Sequence, residues 1–93
     1  MKYVLIIHKV TDYTVWKNIF DEASCMRKEA GEISYQVLKY EGDSKKIVHF
    51  LVWQSLESAK QFFQSPELIK IRIDAGVKSP EFIYLEQLES GIL

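Results

Sequence analysis

Ile47-Val48-His49-Phe50-Leu51-Val52-Trp53 is the stretch that decides the fold of this chain. Alternate side chains of a strand point to opposite faces, and here β-branched, aliphatic or aromatic residues stand at both odd and even positions. Both faces are therefore apolar, which places the segment in the middle of a sheet. Just before it, Glu41-Gly42-Asp43-Ser44-Lys45 supplies the glycine and polar residues of a hairpin loop. Ile33 to Tyr40 then reads as the antiparallel partner strand.

Further out, Lys2 to Val10 is an apolar, β-branched strand interrupted by His8 and Lys9. Thr11-Asp12 offers a helix N-cap, and Trp16, Ile19, Phe20, Ala23, Met26 and Ala30 recur at helical spacing up to Gly31. One helix through Ala30 is predicted. Ser55 caps a second helix through Leu56, Ala59, Phe62 and Phe63, and Ser65-Pro66-Glu67 starts a third that ends at Ala75-Gly76. Lys78-Ser79-Pro80 reads as a loop, and Glu81 to Leu88 as the last strand. The order βαββα(α)β sets two β-helix-β crossovers around a hairpin. That is an α+β, ferredoxin-like fold: helices on one face of a four-stranded antiparallel sheet, with the first and third strands central.

No repeat or linker divides the chain, so residues 1–93 are expected to form one domain. A chain of 93 residues buries only about two thirds of its unfolded surface. Its helices can cover one sheet face; the other apolar face predicts a homodimer with the two sheets facing each other. Composition removes several functions. Twelve basic and 13 acidic residues are scattered with a net charge of −1, so no nucleic-acid footprint is visible. The opening MKYVLIIHKV is too short and interrupted for a membrane span or cleavable signal. Cys25 alone excludes an internal disulfide and zinc sites built on paired cysteines, and a lone thiol fits a reducing, cytoplasmic setting. The four glycines are isolated and form no phosphate loop. Neither a cofactor nor a metal is expected.

His8-Lys9-Val10, Asp12-Tyr13, Trp16-Lys17, Phe20-Asp21-Glu22, Arg27-Lys28 and Gly31, extended by Ser65-Pro66-Glu67-Leu68 and Ala75-Gly76-Val77, carry a resemblance. The chain resembles the small dimeric α+β barrel proteins related to antibiotic biosynthesis monooxygenases, one branch of which is labelled cyclase-like. The resemblance implies a dimeric barrel with a ligand cavity in each subunit between helices and sheet. It does not extend to the haem-degrading members, which use an asparagine on the first strand with a tryptophan and a histidine on the second helical segment. Lys2 to Val10 has no asparagine, and Leu56 to Ala75 has neither tryptophan nor histidine.

His8, near the end of the first strand, is the candidate general base, because imidazole titrates near neutrality. A histidine satisfied within the core is the alternative. His49, on the antiparallel third strand, would relay a proton with His8 if register brings them together, or else sit in the core or dimer interface. Two histidines with no further ligand spacing do not make a metal site. Arg27 and Arg72 are the only arginines, and both fall on apolar helix stripes. There a guanidinium would clamp an acidic ligand, or else serve the helix C-terminus with Asp12 or Glu86 as partner. Trp16, Tyr35, Trp53, Phe62 and Phe63 would line an aromatic ligand pocket or simply fill the core. Cys25 falls on the polar face, and Ile69 and Ile73 are expected to widen the buried face or touch a partner subunit.

The function expected on this basis is a cofactor-independent monooxygenase or cyclase-like enzyme acting on a small aromatic or polyketide-like compound. A non-enzymatic dimer that binds a hydrophobic small molecule, or a structural dimer, is the alternative.

Overall fold

The computed structural model describes residues 1–93. In chain order the elements are β1 (Lys2–Val10), α1 (Tyr13–Glu22), α2 (Ser24–Ala30), β2 (Glu32–Tyr40), β3 (Asp43–Trp53), α3 (Leu56–Gln64), α4 (Pro66–Asp74) and β4 (Val77–Glu86). The sheet runs β2-β3-β1-β4 with every pairing antiparallel, so β1 and β3 are central and the fold is ferredoxin-like. The caps lie where the sequence puts them. The Asp12 carboxylate accepts from the backbone N–H groups of Thr14 and Val15, Ser55 Oγ from Ser58, and Ser65 Oγ from Leu68 with Pro66 in the first turn.

Three boundaries depart from the expectation. The first helix is two helices, broken at Ala23. Neither glycine nor proline explains the break; instead the Arg27 guanidinium donates to the Phe20 carbonyl at the junction, a side chain intruding on the backbone ladder. The hairpin turn is only Glu41-Gly42, with β3 beginning at Asp43 and a register shift after Lys39. The last strand spans Val77–Glu86 rather than Glu81 to Leu88, because Ser79 and Pro80 form an irregularity inside the strand. Proline is tolerated there because β4 is an edge strand. Gly76 enters β4 at φ +75, and a Cβ at this position would collide with Thr11 Oγ1.

Two apolar clusters sit between sheet and helices. One joins Val4, Ile6, Leu51 and Trp53 to Ala59 and Phe63; the other joins Val10 and Ile47 to Trp16, Phe20 and Ala75. Each large side chain buried this way contributes about 1.5–3 kcal/mol. The opposite sheet face carries Leu5, Ile7, Val48, Phe50 and Val52, all only half-buried. On α4, Ile69 and Ile73 are 41% and 70% exposed, so within this chain they do not widen the buried face.

Candidate active site

His8 and His49 lie on the helix-facing side of the two central strands. His8 stands opposite Ile47, and His49 opposite Ile6. The two imidazoles are thus diagonal neighbours on one face, and their Nε2 atoms meet at 3.0 Å. The register of β1 with β4 shifts between Ile7 and Lys9, which puts the irregularity formed by Ser79, at φ +50, and Pro80 alongside His8. Bulges of this kind commonly re-aim a side chain next to a site. Trp16 and Phe20 of α1 close over the pair, with ring centroids 4.6 and 5.1 Å from His49.

Burial strips water from both rings and disfavours their charged forms. It lowers His8 from the ordinary 6.5 to about 4; the nearby Lys9 backbone opposes the shift and the Arg72 charge adds to it. Nδ1 of His8 has no partner of hydrogen-bond geometry. His49 is held well below 6.5 by burial first, then by His8 and Arg27. Both imidazoles are therefore neutral at pH 7.

These rings line a cavity of about 70 Å³ together with Trp16, Arg27, Phe62, Phe63 and Arg72. Of the residues selected from sequence, those seven come together there. Tyr35 and Trp53 do not. Trp53 is 1% exposed and packs into the core against Phe62 and Phe63. Tyr35, on edge strand β2, is half exposed and touches the site from outside, through its ring contact with Phe20 and with the Arg27 guanidinium 5.2 Å from its ring centre.

The arginines are placed differently from one another. The Arg27 guanidinium lies 3.6 Å from the centre of the Phe20 ring, and its partner is Glu32 at 3.2 Å, not Asp12 or Glu86. Both side chains are buried. The contact lacks hydrogen-bond geometry, leaving Arg27 Nε and Glu32 Oε1 without partners. Burial raises the Glu32 pKa, and the Arg27 charge opposes that rise. Arg72 donates to the Phe63 carbonyl at 2.7 Å and has no carboxylate partner.

Glu32 is the cavity residue that sequence reading misses. Strict alternation would turn Ile33 inward. The β2-β3 register instead shifts between Glu32 and Ser34, leaving Ile33 61% exposed and Glu32 buried opposite Trp53.

A family model for antibiotic biosynthesis monooxygenases matches residues 12–72, more than half of the chain. The chain belongs to that family. The match takes in Trp16, Arg27, Glu32, His49, Phe62 and Arg72, while His8 lies on the strand before it.

Solved structures of similar fold include SnoaB of Streptomyces nogalater, a cofactor-independent oxygenase, at a TM-score of 0.74 and 10% identity, covering 96% of this chain and 93% of that one. A Deinococcus radiodurans protein provisionally assigned as an antibiotic biosynthesis monooxygenase superposes at 0.71 with 13% identity over 100% and 98% of the two chains. One from Caulobacter crescentus, with the same provisional assignment, gives 0.72 and 16% over 95% and 90%. At these identities the likeness establishes the fold. No curated protein matches the sequence. No helix is long and apolar enough to cross a membrane.

Proposed function

We propose that this member of the antibiotic biosynthesis monooxygenase family is a cofactor-independent monooxygenase for a small aromatic or polyketide-like compound with an acidic C–H bond. The observation that carries this reading is the uncharged His8–His49 pair on the wall of an apolar cavity that also holds two guanidinium groups. SnoaB, whose fold the chain shares, is a cofactor-independent oxygenase. A neutral imidazole has the free lone pair a general base needs. His8 removes the proton from the substrate carbon, and His49, hydrogen-bonded to it, helps hold the imidazolium that results. Arg72, lacking a carboxylate partner, stabilises the enolate oxygen. The carbanion supplies its electrons to dioxygen: a C–O bond forms and the O–O bond breaks. In balance, a methylene group and a dioxygen molecule give a carbonyl group and a water molecule. The aromatic walls keep water from quenching the carbanion.

Cyclase-like isomerisation has no support from the family match. The half-buried apolar sheet face supports a homodimer closed by a second copy, and the single exposed thiol of Cys25 suits a cytoplasmic compartment.

The test is oxygen uptake with 1,8-dihydroxyanthrone, measured with a chelator present and no added flavin. Uptake matching quinone formation mole for mole, at a rate above the protein-free control, is expected. Saturable binding of the anthrone with no uptake above that control would replace this reading with a non-enzymatic binding protein.

A further inference from the structure

The cavity beside the histidines is too small for the compound it is expected to process. About 70 Å³ accommodates dioxygen or a pair of waters, whereas sites for drug-sized molecules run to roughly 300–1,000 Å³. On the other side of the Arg27–Glu32 pair, at the β2 edge, lies a groove of about 510 Å³ bordered by Lys28, Tyr35 and Gln54. Arg27 and Glu32 line both spaces, so this one ion pair is the partition between them.

The partition is incompletely bonded: Arg27 donates through Nη1 to the Phe20 carbonyl, yet two polar atoms of the pair are left over. Arg27 Nε and Glu32 Oε1 are buried without hydrogen-bond partners although the two groups stand 3.2 Å apart. Unpartnered buried polar atoms are costly and gain from any ligand that completes them. The guanidinium is held flat against Phe20 at 3.6 Å, with the Tyr35 ring 5.2 Å away. It is therefore oriented for a planar anion flanked by aromatic rings. Arg27 and Lys28 against the single carboxylate of Glu32 leave the groove with a net positive charge.

We infer that the groove is the binding site for an aromatic anion, whose carboxylate or phenolate takes Arg27 from Glu32 and so joins the groove to the cavity at the histidines. This deepens the oxygenase reading, and its place in a reaction rests on that reading. Arg27 is then the specificity-determining residue and Glu32 its competitor. The compound's ring system lies in the groove, with its reacting edge toward His8.

The test is binding of 2-naphthoate and its neutral counterpart 2-naphthalenemethanol to the full chain under nitrogen, followed by calorimetric titration. The acid is expected to bind about tenfold or more tightly than the alcohol, and Arg27→Lys to remove most of that preference, since an ammonium cannot grip a carboxylate bidentately. Glu32→Gln is expected to tighten naphthoate binding severalfold, because the competing carboxylate is gone. Equal binding of acid and alcohol, absence of binding by both, or unchanged naphthoate affinity in Glu32→Gln would each overturn the inference. Glu32→Gln is isosteric, so its result stands even if the Arg27 variant fails to fold. No turnover is read, so a failed oxygen-uptake assay bears on the oxygenase reading alone.

Discussion

The Nε2 atoms of His8 and His49 stand 3.0 Å apart across the two central strands, a hydrogen bond between two uncharged imidazoles. One ring must donate and the other accept, so the pair locks its members into complementary tautomers. Protonating the accepting ring at Nε2 would turn two N–H groups toward each other, whereas the donating ring would take its proton at Nδ1 and keep the bond; either charge would sit in a buried site with arginines nearby. The arrangement therefore favours the neutral, basic form of both.

That coupling predicts unequal losses on substitution. With an anthrone substrate, His8→Ala is expected to lower the oxygen-uptake rate about 10²–10⁴-fold, the range for loss of a general base. His49→Ala removes only the partner and should cost less while moving the pH profile; His49→Gln, which retains a hydrogen-bonding amide, should recover part of the rate. Unchanged uptake in His8→Ala would mean another group takes the proton.

The same burial makes stability depend on pH. His8 binds its proton less readily in the folded state, at about 4, than at its ordinary 6.5. The unfolded chain thus carries more protons in that window. Its contribution is fully present above about pH 6.5 and falls by up to about 1.4 kcal/mol per pH unit on acidification until the folded-state pKa near 4 is passed. His49 acts in the same direction. Glu32 acts oppositely above its ordinary 4.5, since burial raises it. Urea midpoints from pH 7.5 to 4.5 should fall, and should fall less in a His8→Phe variant.

Phe50 lies on the uncovered sheet face, 5.0 Å from the Tyr3 ring. A charge placed there would be buried unpaired in a sheet-to-sheet dimer, at a cost of several kcal/mol. Light scattering is expected to give about twice 10.9 kDa for the native chain and a monomer for Phe50→Glu. A native monomer at micromolar concentration would remove the dimer proposal.

Gly76 offers a check on the fold independent of any function. Alanine there must hold φ +75 and drive its Cβ into Thr11 Oγ1. The expected cost is about 1–3 kcal/mol, or roughly 4–8 °C of Tm per kcal/mol for a domain of this size. Adding Thr11→Ala removes the hydroxyl and should restore part of the loss, while the strain from positive φ remains.

Local chemistry made much of the architecture legible. The two-faced apolar run Ile47 to Trp53 could only be a central strand, and Asp12, Ser55 and Ser65-Pro66 marked helix starts that the structure retains. Helical spacing also set Trp16 and Arg27 on the buried face. These are properties of a segment's own residues, so the segment states them.

What tertiary structure alone decided was register and its irregularities. A shift of one residue at Ile33 turned Glu32 inward to Arg27. Pairing of Ile6 with His49, and of His8 with Ile47, brought the imidazoles to hydrogen-bonding distance. The hydrogen bond from Arg27 to the Phe20 carbonyl accompanies a break in a helix whose own residues favour continuity. Side-chain direction in a strand has a period of two, so one inserted residue reverses every assignment on its far side, and its energy depends on the partner strand. The sequence by itself therefore determined which segments pair and where helices begin, whereas the meeting of His8 with His49 and of Arg27 with Glu32 was set by contacts between segments distant along the chain.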